Sequence, residues 1–139
     1  MARWVLDANV VVKWSVPEEL WEKAALFRAD GHDLVAPNIL IWEAMNSLLA
    51  KVRQRAIAPA VALEALPILY EQFEFYPAEM LLDAAIQLSI ELNITLFDAV
   101  YLRVALREGC QLVTHDGGLV NATRGRYGET VVALADVTI

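Results

Sequence analysis

Four carboxylates carry the chemistry available to this sequence: Asp7, Glu43, Asp98 and Asp116. Asp7 closes the short apolar run Trp4-Val5-Leu6, and Asp116 lies just beyond the run Leu112-Val113-Thr114. A buried strand that stops at an acid places that acid at the carboxyl edge of a sheet, where open α/β folds put their ligands. Asp98 stands at the start of a helical stretch from Ala99 to about Glu108. Glu43 sits in the first half of another helix, among Leu40, Ile41, Trp42 and Met45, where a carboxylate needs a reason.

Singly, each acid has an ordinary explanation. Asp7 suits a turn or a helix cap, Asp98 a cap, Asp116 an Asx turn, and Glu43 the margin of an apolar stripe. Together they point elsewhere, because strand ends and the helix starts that follow them share one edge of a parallel sheet. Four acids packed there without a cation repel one another and raise some of their pKa values. A hard divalent ion removes that penalty, since Mg²⁺ takes oxygen ligands and keeps several waters. No Cys/His cluster offers a zinc site. The chemistry expected is phosphodiester hydrolysis with divalent metal.

Neighbouring polar residues fit as supports. In an extended segment Thr114 and Asp116 share a face while His115 points away, so Thr114 can bond a carboxylate or a metal-bound water. Asn9 and Asn46 are further candidates to hydrogen-bond the acids. His32 and His115, the only histidines, read as non-catalytic. Lys13, Arg53, Arg55, Arg103, Arg124 and Arg126 are candidate phosphate contacts, with Arg124 and Arg126, in an expected loop after the acidic edge, the foremost.

The elements that must position these groups alternate along the chain. Strands are expected at Trp4-Val5-Leu6, Leu34-Val35-Ala36, Phe73–Tyr76, Leu112-Val113-Thr114 and Val131–Leu134. Asn9 to Trp14 reads either as continued strand or as a strand-to-helix turn. Pro17-Glu18-Glu19 reads as a helix N-terminus, with the helix running to Ala29 and stopped by Asp30-Gly31. Further helices are expected from Pro37-Asn38 to Arg55, from Ala58 to Glu71 with Pro67 threatening a kink, and from Ala78 to Leu92 with Asn93 as C-cap. Gly109 caps the helix that carries Asp98, and Leu119–Thr123 forms a short one before the loop Arg124–Gly128. Alternating strands and helices imply a mainly parallel sheet of about five strands, covered on both faces.

The chain has 139 residues, which fits one domain spanning 1–139. Hydrophobic residues make up 58% and mean hydropathy is +0.42, which allows a dense core and hints at a buried interface between copies. No apolar run is long enough to cross a bilayer, and Arg3, Asp7 and Lys13 break the N-terminal run that a signal peptide would need. The lone Cys110 cannot form an internal disulfide and reads as a small hydrophobe. A cytoplasmic location is expected. The net charge of −7 argues against a general nucleic-acid coat protein but not against an enzyme that meets phosphate through metal.

These motifs, in this order, resemble a known family. Val5-Leu6-Asp7-Ala8-Asn9, with Val12-Lys13-Trp14 and Pro17-Glu18-Glu19 behind it, looks like the opening of a PIN-domain protein of the VapC toxin type. Glu43-Ala44-Met45-Asn46 resembles that family's central acidic helix, Leu96–Leu102 its third acidic motif, and Leu112–Asp116 with Leu119–Ala122 its fourth. The chain departs at Gly117-Gly118, where relatives often carry a charged residue. The resemblance implies an α/β/α sandwich and a Mg²⁺- or Mn²⁺-dependent endoribonuclease. It implies Asp7, Glu43, Asp98 and Asp116 as the metal-holding catalytic set, RNA as substrate, a cognate antitoxin as partner, and a homodimer. Two rival readings remain on the residues alone. One is a phosphoaspartyl phosphatase with Asp7 as nucleophile, although such enzymes usually carry a second aspartate where this chain has Asn9. The other is a catalytically silent binding module whose acids are caps.

Overall fold

The computed structural model describes residues 2–139. Five strands, β1 (Ala2–Leu6), β2 (His32–Pro37), β3 (Phe73–Tyr76), β4 (Gln111–Thr114) and β5 (Val131–Ala133), form one sheet in the order β3-β2-β1-β4-β5. Every neighbouring pair is parallel. Val5 lies opposite both Val35 and Leu112, and Leu6 opposite Val113, so the sheet's centre is aliphatic on each side of β1. Val5, Leu6, Leu112 and Val113 have no exposed surface. Burial on both faces is why these strands are continuous apolar runs rather than alternating ones.

Seven helices cover the sheet. Two lie between β1 and β2: α1 (Ala8–Val11), continued by a 3₁₀ turn at Val12–Trp14, and α2 (Trp21–Ala25). Between β2 and β3 run α3 (Ile39–Arg53) and α4 (Pro59–Gln72), packed against each other. A 3₁₀ turn at Ala78–Leu81, α5 (Leu82–Leu92) and α6 (Leu96–Glu108) lead from β3 back to β4. The last helix, α7 (Gly117–Tyr127), joins β4 to β5 and packs on both. Right-handed crossovers put the helices of the β1→β2→β3 progression on one face and those of the return on the other, giving a three-layer α/β/α sandwich. Helix α6 is the spine of the return layer. Ala99, Leu102, Val104 and Ala105 are fully buried, and the helix packs against β1, β2 and β4. Asn93 (φ 53°) and Gly109 (φ 63°) end α5 and α6 in left-handed backbone, as expected of C-caps.

The chain leaves β1 in one direction and later returns to add β4 on β1's other side. The switch point therefore lies between the carboxyl ends of β1 and β4. That is where the crevice of an open α/β sheet forms.

Three local expectations are corrected. Pro17-Glu18-Glu19 is not a helix start. Glu18 turns instead to ammonium groups at Lys13 (3.3 Å) and Lys51 (3.6 Å), Leu20 adopts left-handed backbone (φ 63°), and the helix begins only at Trp21. Arg124–Gly128 is not a loop after the acidic edge but, up to Tyr127, the end of α7. That helix starts at Gly117 because Asp116 caps it, accepting from the Gly118 and Leu119 amides at 2.9 and 3.3 Å. Pro67 neither breaks nor ends α4, which runs through it to Gln72. Pro67 is exposed, so the carbonyl its ring crowds can tilt toward water, while Ala62, Ala65 and Leu69 hold the opposite stripe in the core. The ambiguous segment after Asp7 is helical: α1 and its 3₁₀ turn bury Val10, Val11 and Val12.

Candidate active site

Asp7 is the last residue before the chain turns from β1 into α1, and it caps that helix through Oδ1, which accepts from the Ala8 amide at 2.8 Å. Its other oxygen points across the switch point. The Thr114 hydroxyl donates to Asp7 Oδ2 at 2.8 Å, and Asn9 Nδ2 approaches the same oxygen at 3.3 Å. Thr114 Oγ1 in turn accepts from the Asp116 amide at 3.0 Å and from Asn9 Nδ2 at 3.3 Å. Asn9 completes the frame, its Oδ1 accepting from the His115 amide at 2.9 Å. Asp7, Asn9, Thr114 and Asp116 thus form one hydrogen-bonded unit joining the ends of β1 and β4. Thr114 is fully buried within it.

Glu43 and Asp98 face this unit from two helices. Glu43 lies in the second turn of α3, and its Oε1 accepts from the Tyr101 hydroxyl at 2.7 Å. Asp98 lies in the first turn of α6, whose N-cap is Thr95, accepting from the Asp98 amide at 3.1 Å. Asp98 is therefore not itself the cap.

The electrostatics tie the four acids together. Asp7 is almost fully buried, and burial pushes its carboxyl up to about 7, against the pull of the Thr114 hydrogen bond and with added repulsion from Asp98 and Glu43. Burial also raises Glu43, where Tyr101 opposes the shift and the charge of Asp98 adds to it. Asp98 is raised by burial as well, with Thr95 opposing and Asp116 adding. Charge repulsion thus runs from Asp7 to Glu43 and Asp98, and from Asp98 to Asp116. This is a set of acids brought together at a cost in electrostatic free energy, not four independent caps.

The donors are carboxylate and hydroxyl oxygens, which suit a hard divalent ion and not a soft one. Among the described residues, no three carboxylate, imidazole or thiol groups stand close enough to enclose an ion by themselves. A magnesium-type site asks for less, namely one or two carboxylates with retained water. Asp7 and Asp98, whose charges repel each other, are the carboxylates that could hold such an ion.

The 122-residue span from 4 to 125 matches the sequence model of the PIN domain. The chain belongs to the PIN domain family. It is 29% identical over 116 residues to Ribonuclease VapC3 of Pyrobaculum aerophilum, across 81% of this chain and 88% of that relative. Its fold is similar to PAE2754 from Pyrobaculum aerophilum, with a TM-score of 0.68 and 24% identity over 96% of this chain and 92% of the other. It is also similar to a chain of a toxin-antitoxin complex from Klebsiella pneumoniae, with a TM-score of 0.64 and 15% identity over 99% and 100% of the two chains. The four acids, at the sheet's carboxyl edge, all lie within the PIN-matched span.

Other expected site residues lie elsewhere. Asn46 is exposed, makes no side-chain hydrogen bond to the acids, and lines an apolar groove of about 460 Å³ between α3 and α4 with Trp42, Met45 and Tyr70. Lys13 is not a free surface cation; it is 3% exposed and paired with Glu18. Arg126 pairs with Glu91 on α5 and lies over the Tyr127 ring. Arg124 sits two turns down α7, roughly 12 Å along the axis from the Asp116 cap. Gly117-Gly118 forms the first turn of α7, and a Cβ at Gly118 would stand 3.1 Å from Asp116 Oδ1. Glycine there lets the cap close tightly.

Tyr101 is the site residue that sequence reasoning missed. It is fully buried, and its hydroxyl is held well above the usual range by burial and by Glu43. The available signal was its position three residues after Asp98, on the same side of a helix, in a stretch otherwise nearly all apolar. A buried tyrosine needs a partner for its hydroxyl. Tyr101→Phe is expected to cost about 1–3 kcal/mol of stability and to raise the Glu43 carboxyl further. Denaturant unfolding and a carboxyl-carbon NMR titration of Glu43 test this. An unmoved Glu43 titration would show that the hydrogen bond does not tune that acid.

Proposed function

We propose that this PIN-domain protein is a cytoplasmic Mg²⁺- or Mn²⁺-dependent endoribonuclease, the toxin of a toxin–antitoxin pair. The observation that carries the reading is the coupled acid set at the switch point, built around a buried Asp7 whose carboxyl is raised to about 7. The likeness to Ribonuclease VapC3 supports RNA as the substrate, and the likeness to a chain from a toxin-antitoxin complex supports an antitoxin partner. Asp7 and Asp98, with Asp116 and Glu43 beside them, would be the residues to hold a divalent ion together with its retained waters, and the ion would supply Lewis acidity there when bound. The protein's own residues do the positioning. Thr114 and Asn9 orient Asp7, Tyr101 orients Glu43, and Thr95 orders the turn that presents Asp98. No side-chain nucleophile is required. Asp7 suits the phosphoaspartyl role poorly, since both its oxygens are already engaged.

The fold also leaves apolar surface for protein partners. Trp42 is 80% exposed on α3 and Ile90 79% exposed on α5, and each has apolar neighbours on its face (Met45 and Leu49; Leu82 and Ile86). An antitoxin and a second copy of this chain are the partners proposed for such faces. Among the described residues, no single helix is long and apolar enough to cross a membrane.

The test is to induce the chain in cells and sequence the new 5′ ends of cellular RNA. New ends at a few defined sites, absent when the neighbouring antitoxin gene is co-expressed, are the expected result. An RNA profile indistinguishable from that of uninduced cells overturns the reading.

A further inference from the structure

The acidic edge has a basic neighbour. A cleft of about 220 Å³ opens beside it, lined by Asn9, Lys13, Glu18, Ser47, Lys51 and His115. Helical spacing accounts for it. On α3, Glu43, Ser47 and Lys51 follow one another at intervals of four, so they form a single stripe leading from the carboxylates to an ammonium group. On α1 and its 3₁₀ turn, Asn9 and Lys13 repeat that interval. Asn9 is the shared wall, since it bonds the Asp7–Thr114 unit at one end and its helix carries Lys13 at the other.

The cationic end is built into the fold. Lys13 is 3% exposed, yet its ammonium lines the cleft with one hydrogen bond, to Glu18 at 3.3 Å. An ammonium carries three donors. Glu18 also lies 3.6 Å from the half-buried Lys51, so one carboxylate holds two cations in place. With two lysines against one glutamate the pocket is net positive, in a chain whose total charge is −7. Glu43 and Lys51 are about 12 Å apart along the helix axis. That separation suits a phosphate further along the strand better than the one at the carboxylates.

We infer that the Lys13–Glu18–Lys51 cleft is a subsite for a phosphodiester of the substrate strand flanking the scissile bond. The subsite rests on the ribonuclease reading above. Lys51 contacts the phosphate, and Lys13 holds Glu18 so that Lys51 is aimed into the cleft.

The test reads binding apart from turnover. Fluorescence anisotropy of a labelled single-stranded RNA is followed across salt concentrations, with every protein in an Asp98→Asn background. Lys51→Gln is expected to weaken binding several-fold and to lower the salt slope by about 0.7, the value for one phosphate on a single strand. Lys51→Arg is expected to restore the slope. An RNA carrying one neutral methylphosphonate, walked along the strand, is expected to erase the Lys51→Gln effect at a single position. Equal salt slopes with and without the Lys51→Gln substitution, or no such position, overturn the subsite while leaving the ribonuclease reading standing. Lysine-dependent binding in that background, together with a wild-type chain that never cuts RNA, keeps the phosphate contact but overturns its place beside a scissile bond along with the ribonuclease reading.

Discussion

Asp98→Asn is expected to lower RNA cleavage by roughly a hundredfold or more while leaving the fold intact. Loss of residues that merely orient metal ligands already costs about 10–100-fold, and Asp98 is placed to act directly. Three features make it the sharpest probe. Its backbone amide donates to the Thr95 hydroxyl, a bond that Asp98→Asn keeps, so the helix start survives. Its carboxyl is coupled to Asp7, Glu43 and Asp116, so removing its charge touches the whole set. It is less buried than Asp7, so the substitution leaves no large unsatisfied group. Turnover of a defined RNA by purified protein, with thermal unfolding as the control for folding, checks the outcome. Cleavage at the wild-type rate by a clean preparation of the variant would remove Asp98 from the site.

The second large effect is on stability. Without metal, the protein is expected to become less stable as pH rises from about 4 to about 7. The Asp7 carboxyl has an ordinary value of 3.8 and is raised to about 7 in the fold. Between those values the native state keeps a proton that the unfolded chain has lost, so raising pH favours unfolding. The penalty is absent below the lower value and complete above the upper one. Its ceiling is on the order of 4 kcal/mol, or on the order of 10 °C in melting temperature for a chain of this size. The raised carboxyls of Glu43 and Asp98 act in the same direction. Mg²⁺ or Mn²⁺ at pH 8 is expected to reverse much of the loss, by about 2.7 kcal/mol at a hundredfold excess over its dissociation constant. Asp7→Asn should flatten the metal-free profile and reduce the response to metal. Calorimetric melting from pH 4 to 8, with and without metal, reads all three. A wild-type profile that is flat in pH and indifferent to millimolar metal would mean that the acids do not form a repelling, ion-binding set.

Much of this was legible in the chain because it is written locally. The strands are short, largely apolar runs, and Asp7 follows one directly while Asp116 lies one residue beyond another, which is enough to place both at one edge. What was not legible depends on specific side-chain partners, some near in sequence and some distant. Pro17-Glu18-Glu19 has the composition of a helix start, but Glu18 is claimed by Lys13 and Lys51. Arg124–Gly128 has the glycine content of a loop, yet the Asp116 cap and the Thr123 hydroxyl, bonded to the Leu119 carbonyl at 2.8 Å, carry the helix through it. Tyr101 and Glu43 are 58 positions apart, and nothing near either one announces the bond. Asn46 fails as a support because one turn of helix is not a whole number of residues. The stripe that starts at Glu43 continues through Ser47 and Lys51, and Asn46 faces the apolar groove.

The bond from Thr114 to Asp7 spans 107 positions and that from the His115 amide to Asn9 spans 106, so the acidic edge joins the two ends of the chain in time as well as in space. A chain leaving the ribosome at about 5–20 residues per second exposes Asp7 many seconds before the strand that must orient it has been made. Until β4 slots in beside β1, Asp7 has no donor across the switch point and Asp116 has not been synthesised. A chain of this design is expected to be inactive during synthesis until β4 has been made and has paired with β1. Ribosome-bound chains arrested before Gln111 should leave RNA uncut even when supplied with metal, and cutting by such chains would show that the edge is competent without its last strand pair.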